Sequence, residues 1–412
     1  MSFDKLGLYE PILKALKEKG YKAPSPIQEK AIPAILERRD VMAAAQTGTG
    51  KTASFTLPIL HMLSNPKHRF KGHVIRALVV TPTRELAAQV RESVVTYGRY
   101  LDLKSTAIYG GTSVRNQKTV LRKGVDILVA TPGRLLDLYN QKSINFSKVE
   151  ILVLDEADRM LDMGFINDIK KIIRLLPDRR QNLMFTATFS DSFRALANKF
   201  SYKPLEISVT RDNETAKNVE HYIHPVDTSR KSELLIHLIK TEKWKQALVF
   251  TRTKHGANRL TKKLIQSHIT AVAIHSNKTQ NYRTKALDNF KKNRVKILVA
   301  TDVAARGIDI KNMNQVINFD LPTVAKDYIH RIGRTGRAGE SGKAISFVSS
   351  EQFQLLDDIE KLLKQTLAQH IVNGFEPSGP ISKNNSKVGK KQRRFNKQSR
   401  SRKKSRFKVK NQ

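Results

Sequence analysis

Apolar runs of three to five residues recur along this chain, and helical patterns fill the intervals between them. The runs predict strands at Val41–Ala44, Ala77–Thr81, Ser105–Tyr109, Ile127–Ala130, Ile151–Leu154 and Leu183–Phe185. The pattern then starts again, at Ala247–Phe250, Ala271–Ile274, Lys296–Ala300, Gln315–Asn318 and Ala344–Val348. Helical periodicity between them, as in Glu85–Tyr97 and Gly256–His268, completes a strand–helix alternation. Such alternation gives parallel sheets with helices on both faces. A chain of 412 residues exceeds what one core usually holds. The expected fold class is therefore α/β, with two tandem domains covering 1–209 and 219–371. The polar, aperiodic segment 210–218 is read as the linker between them. From 372 to 412 apolar residues become too sparse to offset the entropy of ordering, so a disordered tail is expected.

Parallel sheets of this kind bind ligands beyond the carboxyl ends of their strands, and there the motifs fall. Ala45-Gln46-Thr47-Gly48-Thr49-Gly50-Lys51-Thr52 follows the first strand and opens a helix. This is a phosphate-loop pattern with Ala45 in place of the first glycine. Gly48 and Gly50 let backbone N–H groups approach phosphate oxygens. Lys51 would reach the β- and γ-phosphates, and the Thr52 hydroxyl would ligate Mg²⁺. A second motif, Asp155-Glu156-Ala157-Asp158, closes the strand Ile151–Leu154. Asp155 would hold Mg²⁺ through water, and Glu156 would orient or deprotonate the attacking water. In the second half Arg334 and Arg337, three residues apart, offer cationic forks suited to a transition-state phosphoryl group. They would reach a nucleotide on the first domain only when the domains close.

The energy of a nucleoside triphosphatase needs a recipient, and charge indicates which. The net charge is +38, and 14 Lys/Arg with no Asp/Glu fall between Gly379 and Gln412. The rest still carries 61 basic against 37 acidic residues. Nucleic acid is the natural partner of such an excess. No apolar stretch is long enough for a bilayer span, and the N-terminus lacks a signal-peptide pattern. A cytoplasmic protein without membrane partners is the expectation. The absence of cysteine excludes disulfides and thiolate metal sites.

Taken together, these motifs resemble those of the DEAD-box ATP-dependent RNA helicases, in that family's order and spacing, from about Phe3 to Phe353. The resemblance implies two tandem RecA-like domains, ATP and Mg²⁺ as ligands, and RNA, single-stranded or in short duplexes, as partner. Gly20-Tyr21-Lys22-Ala23-Pro24-Ser25-Pro26-Ile27-Gln28 is similar to the Q motif. It implies that Gln28 reads the adenine edge and that Tyr21 packs near the base. Gln46, Thr47 and Thr49 belong to the nucleotide cradle, and Asp309 to the ribose contact. Arg84, Gly111, Thr131, Arg134, Arg252 and Thr301 lie in blocks similar to the RNA-contacting motifs. Thr186-Ala187-Thr188 matches the block that couples hydrolysis to strand separation; its two hydroxyls are expected to bond Asp158, with His330 in the same coupling role. The compact core and basic extension look like the RhlE-type branch. Ribosomal-particle or RNA-decay proteins are candidate partners, and a monomer is expected. Two other readings are a passive RNA clamp and a DNA motor on the same scaffold. The complete catalytic set argues against the first, and the adenine-reading and Asp-Glu-Ala-Asp blocks against the second.

Overall fold

The structure is a computed structural model that describes residues 2–45, 48–65, 74–209, 219–305, 310, 313–335 and 342–379. The chain divides into two compact units. The expected linker, 210–218, lies outside the described residues.

The first unit is built on seven parallel strands: β1 (Val41–Ala44), β2 (Ala77–Val80), β3 (Ser105–Ile108), β4 (Ile127–Ala130), β5 (Ile151–Leu154), β6 (Gln181–Thr186) and β7 (Leu205–Ser208). Their order is β3-β4-β2-β5-β6-β1-β7. The strands from β4 to β1 are buried along their whole length, as sheets covered on both faces must be. Successive side chains serve opposite cores. Val41, Ala43, Val79 and Val153 pack with the helices Pro26–Leu36, Lys51–Leu63 and Arg84–Tyr97. Met42, Leu78, Leu152 and Met184 pack with Pro132–Asn140, Ile166–Arg174 and Asp191–Phe200. Hydroxyl caps fix where helices begin: Thr83 and Ser190, and Thr253 in the second unit, each accept the N–H three residues on.

The second unit repeats the plan with β8 (Val219–Pro225), β9 (Ala247–Phe250), β10 (Ala271–Ile274), β11 (Ile297–Ala300), β12 (Gln315–Asn318), β13 (Gly342–Val348) and β14 (Ala368–Gln369). Their order is β10-β11-β9-β12-β13-β8-β14, again parallel throughout. No helix among the described residues is long and apolar enough to cross a membrane.

Three strands escape the sequence pattern. The outer strand β7 buries only Ile207, β8 is interrupted by Glu220, His221 and His224, and β14 has two residues. The expected disordered tail also begins too early. His370 N–H bonds Ile223 O at 2.9 Å, extending the sheet past β14. Val372 and Phe375 pack on the core, and the Arg230 guanidinium lies 4.7 Å from the Phe375 ring centroid. Arg230 Nη2 donates to Gly374 O at 2.7 Å, and Ser378 N–H bonds the Asp227 carboxylate at 3.2 Å. One aromatic anchor and these capping bonds hold a segment whose composition alone looks unstructured. The basic stretch 380–412 lies outside the described residues.

Candidate nucleotide and RNA sites

The first sheet brings three motifs together at the carboxyl ends of adjacent strands β5, β6 and β1. Ala44 is level with Thr186, and Leu154 with Met184. Beyond β1 the chain turns through Gly48 (φ 91°) and Gly50 (φ 94°), which are left-handed positions suited to glycine. Gln46 and Thr47 lie outside the described residues; Thr49 and Thr52 lie inside them. Gln28 is 2% exposed; its amide accepts from Ser25 N–H at 2.9 Å and donates to Gly50 O at 3.2 Å. The segment read as adenine-recognising thus also braces the phosphate loop. Tyr21 is 38% exposed; it meets Phe3 edge-on and bonds Tyr97 Oη at 2.8 Å. Lys51 starts the helix and is buried; its ammonium donates to Thr186 O at 3.3 Å, spanning to the end of β6.

Asp155 leaves β5 almost fully buried, its N–H bonded to Val80 O at 3.0 Å. Burial, then the charge of Glu156, push its carboxyl up to about 7, and Lys51 opposes them. Glu156 sits at φ 54°, ψ 48°, a left-handed conformation rare for a side chain other than Asn, Asp or Gly. It is held there by Arg159, whose Nη1 lies 2.8 Å from Glu156 Oε2. Sequence reading assigned Arg159 no role. A Glu–Arg spacing of three at a helix start was the signal, but nothing in it said the pair would be buried. Asp158 does face the β6 exit, though not as expected. Its Oδ2 accepts the backbone N–H of Ala187 at 3.0 Å, while the Thr186 hydroxyl donates to Thr188 O at 2.8 Å. A strand-end N–H needs a partner, and the hydroxyl is satisfied locally.

The other half of the same edge carries the basic motifs, at the exits of β2, β4 and β3. Thr83 caps the helix that begins with Arg84. The Arg84 guanidinium lies against Gly110 and Gly111. A Cβ at Gly111 (φ 79°) would stand 2.0 Å from Arg84 Nη1, so that backbone must be bare. Thr131 N–H continues the ladder to Ile108 O at 3.2 Å. Arg134 reaches Thr112 O at 3.5 Å and pairs with Asp137 at 3.3 Å. Arg84, Gly111, Thr131 and Arg134 are thus gathered on one stretch of edge.

In the second unit Arg252 and Thr301 follow the adjacent strands β9 and β11. Arg252 is exposed, with its N–H on Asp320 Oδ2 at 2.9 Å. Thr301 O accepts from Ala304 and Ala305 N–H, turning the chain into a short helix. His330 and Arg334 lie at the end of the helix Ala325–Ile332 and just past it; Arg334 is 7% exposed. Asp309 and Arg337 lie outside the described residues. The residue between, Arg331, is the hub that sequence reading missed. Its guanidinium is 2% exposed and grips both Asp302 oxygens (2.6 and 2.7 Å), Asn318 Oδ1 (3.0 Å) and Asp320 O (2.6 Å). In the sequence it is one arginine of a basic run.

A parallel sheet with a glycine-rich turn into a helix after β1, and buried carboxylates after β5, defines a phosphate-loop nucleoside triphosphatase. A second sheet of the same plan makes it a two-domain one. The DEAD/DEAH box helicase family model matches residues 25–196, and the helicase conserved C-terminal domain model residues 230–339. The DEAD-box ATP-dependent RNA helicase RhpA of Helicobacter pylori is 43% identical over 360 residues, covering 87% of this chain and 72% of its own. The ATP-dependent RNA helicase CshA of Limosilactobacillus reuteri is 41% identical over 366 residues, covering 88% and 72%. Dbp5 of S. cerevisiae bound to RNA and ADP BeF3 superposes with a TM-score of 0.79 at 34% identity, over 90% of this chain and 96% of that one. Mss116p bound to ssRNA and AMP-PNP gives 0.81 at 30% identity, over 91% and 79%. The chain belongs to the DEAD-box family of ATP-dependent RNA helicases.

Proposed function

We propose that this helicase separates short RNA duplexes locally, or remodels RNA–protein structure, by docking and releasing its two domains once per ATP. The observation that carries the reading is the divided edge of the first sheet. The residues assigned to the nucleotide follow β5, β6 and β1, those assigned to RNA follow β3, β4 and β2, and β2 and β5 are hydrogen-bonded neighbours.

The residue roles follow from that placement. Gly48, Gly50 and Lys51 receive the phosphates. The amide of Gln28 keeps a second donor and a second lone pair for an adenine edge, so base identity would be felt at Gly50 through one side chain. Glu156, fixed by Arg159, orients the attacking water. Asp158 ties the Asp-Glu-Ala-Asp turn to Ala187, which makes the β6 exit respond to changes at the phosphate. Arg334 and Arg337 complete the site from the second domain. The residues fit a magnesium–phosphate group: Asp155 and Glu156 are buried side by side, with Lys51 opposing only part of their repulsion. Thr52 and Asp155 would hold Mg²⁺, which supplies charge neutralisation at the phosphoryl oxygens.

RNA lies across both domains in this reading, over Arg84, Gly111, Thr131 and Arg134 on one and Arg252 and Thr301 on the other. Ligand-driven docking makes ATP and RNA binding mutually reinforcing. A bent single strand fits where a duplex does not, and loss of the γ-phosphate reopens the domains. The RNA- and nucleotide-bound Dbp5 and Mss116p structures, similar over nine-tenths of this chain, support the arrangement. The compact core and basic extension support the RhlE-type branch.

Matched RNA and DNA oligonucleotides test the substrate. RNA is expected to stimulate ATP hydrolysis and DNA not; equal stimulation overturns the RNA reading. Glu156→Gln tests the coupling. Turnover should fall about 10²–10⁴-fold, and multiple-turnover strand separation should fall with it. If separation persists, hydrolysis does not drive the cycle.

A further inference from the structure

Two buried cations hold the exit of β12. Lys231 opens the helix Lys231–Thr241 and is 1% exposed. Its ammonium donates to Phe319 O at 3.1 Å, to Phe347 O at 2.7 Å and to Gln352 Oε1, so each of its three protons has an acceptor. The next carbonyl after Phe319, that of Asp320, is held by Arg331. The Asp320 side chain then turns to Arg252 and accepts its backbone N–H. A buried lysine costs far more desolvation than an aliphatic side chain of its length. What it secures here is the Phe319 carbonyl at the turn after β12, tied to the Phe347 carbonyl near the end of β13.

We propose that Lys231 and Asp320 are positioning residues for RNA: Lys231 fixes the turn after β12, and Asp320 fixes from that turn the backbone at Arg252. Neither residue belongs to the motifs that suggested nucleotide or RNA contact. Arg252 is exposed and follows β9, so its side chain would swing widely if its own N–H were untethered. The Asp320 carboxylate supplies that tether from the neighbouring strand, since β12 pairs with β9 and Asn318 is level with Phe250. The inference rests on the reading of Arg252 as an RNA contact.

RNA-stimulated ATPase of the full chain tests it, with Arg252→Ala, Asp320→Ala, Lys231→Met and the double variant Lys231→Met/Asp320→Ala. Each single change should raise the half-saturating RNA concentration about tenfold, and for Asp320→Ala and Lys231→Met maximal turnover at saturating RNA should stay within about twofold. The double variant should be little worse than either single one, because the two act in series. Asp320 is only half-buried, so Asp320→Ala keeps the test valid if Lys231→Met fails to fold. Wild-type RNA saturation in Asp320→Ala, beside a weakened Arg252→Ala, overturns the inference, as do fully additive losses in the double variant. An inert Arg252→Ala removes the RNA reading of Arg252 itself, and the inference falls with it.

Discussion

The amide nitrogen of Gln28 stands where a side chain on Gly50 would begin: a Cβ there would lie 2.3 Å from it. The adenine-side segment and the phosphate loop are therefore in contact by virtue of a missing side chain. Gly50→Ala imposes a left-handed alanine, about 1–2 kcal/mol of strain, and also expels Gln28. The KM for ATP should rise at least about tenfold, with loss of preference for adenine nucleotides. Steady-state ATPase with ATP and GTP checks this, and an unaltered ATP:GTP ratio would contradict the bracing role of Gln28.

A parallel case lies on the RNA side. Gly111→Ala would displace the Arg84 guanidinium from the backbone on which it rests. Half-saturating RNA should rise about tenfold, and the change should not add to that of Arg84→Ala, since both remove the same arrangement. Fluorescence anisotropy with a labelled single strand measures it. Additive losses would mean that Arg84 and Gly111 act separately.

Lys231 gives a pH signature of opposite signs. Burial pulls its ammonium down to about 8; Asp320 and Glu351 oppose the shift, and Arg252 adds to it. A folded pKa below the unfolded one means that the unfolded chain binds the extra proton between about 8 and 10.4. Stability from this group is thus present above that window and lost as pH falls through 8. RNA grip should move the other way, because the neutral amine has two protons for three acceptors. Between pH 8 and 9 the wild type should lose RNA affinity relative to Lys231→Met, while its melting temperature gains relative to that variant. Parallel titrations of the two proteins decide it; identical slopes would dissociate Lys231 from both effects.

Two truncations separate anchor from tail. Removing 380–412 takes away 14 cations. If about 6–10 of them neutralise phosphates, they account for a ~10³–10⁵-fold fall in affinity between 50 and 200 mM salt. The truncated chain should show a much flatter slope, with near-normal ATPase at saturating RNA. Removing 368–412 also takes away β14 and Phe375, and should cost about 2 kcal/mol of second-domain stability. Collapse of turnover in the shorter truncation would place the tail inside the active machine.

The central strands were legible because both of their faces are buried, which leaves continuous apolar runs such as Ile151–Leu154. Strands β7 and β14 were not, since each is an outer strand whose pairing is decided by distant residues, and β8, though paired on both sides, is broken by Glu220, His221 and His224. Positions of the phosphate loop and the acidic turn were legible for a related reason: they immediately follow those runs. Partnerships were harder. Ser25-x-x-Gln28 reads as a capping box, a second task for Gln28 that was visible in the sequence and went unused. Arg159 and Arg331 looked like two more cations in a basic chain: the burial of the local Arg159–Glu156 pair and the meeting of Arg331 with Asp302 both depend on how the strands assemble. Asp158 was expected on hydroxyls and found an N–H, that of Ala187 just past β6, a difference of one residue that no spacing rule resolves.

The left-handed backbone at Glu156 sets folding against chemistry. Glycine would occupy φ 54° with less strain, but it would leave the buried Arg159 guanidinium without its carboxylate. The carboxylate at that position is thus tied to its buried partner as well as to the role proposed for it in turnover. In a copy of this gene released from its task, Glu156 and Arg159 would therefore be expected to change together, because either one alone leaves a buried charge behind.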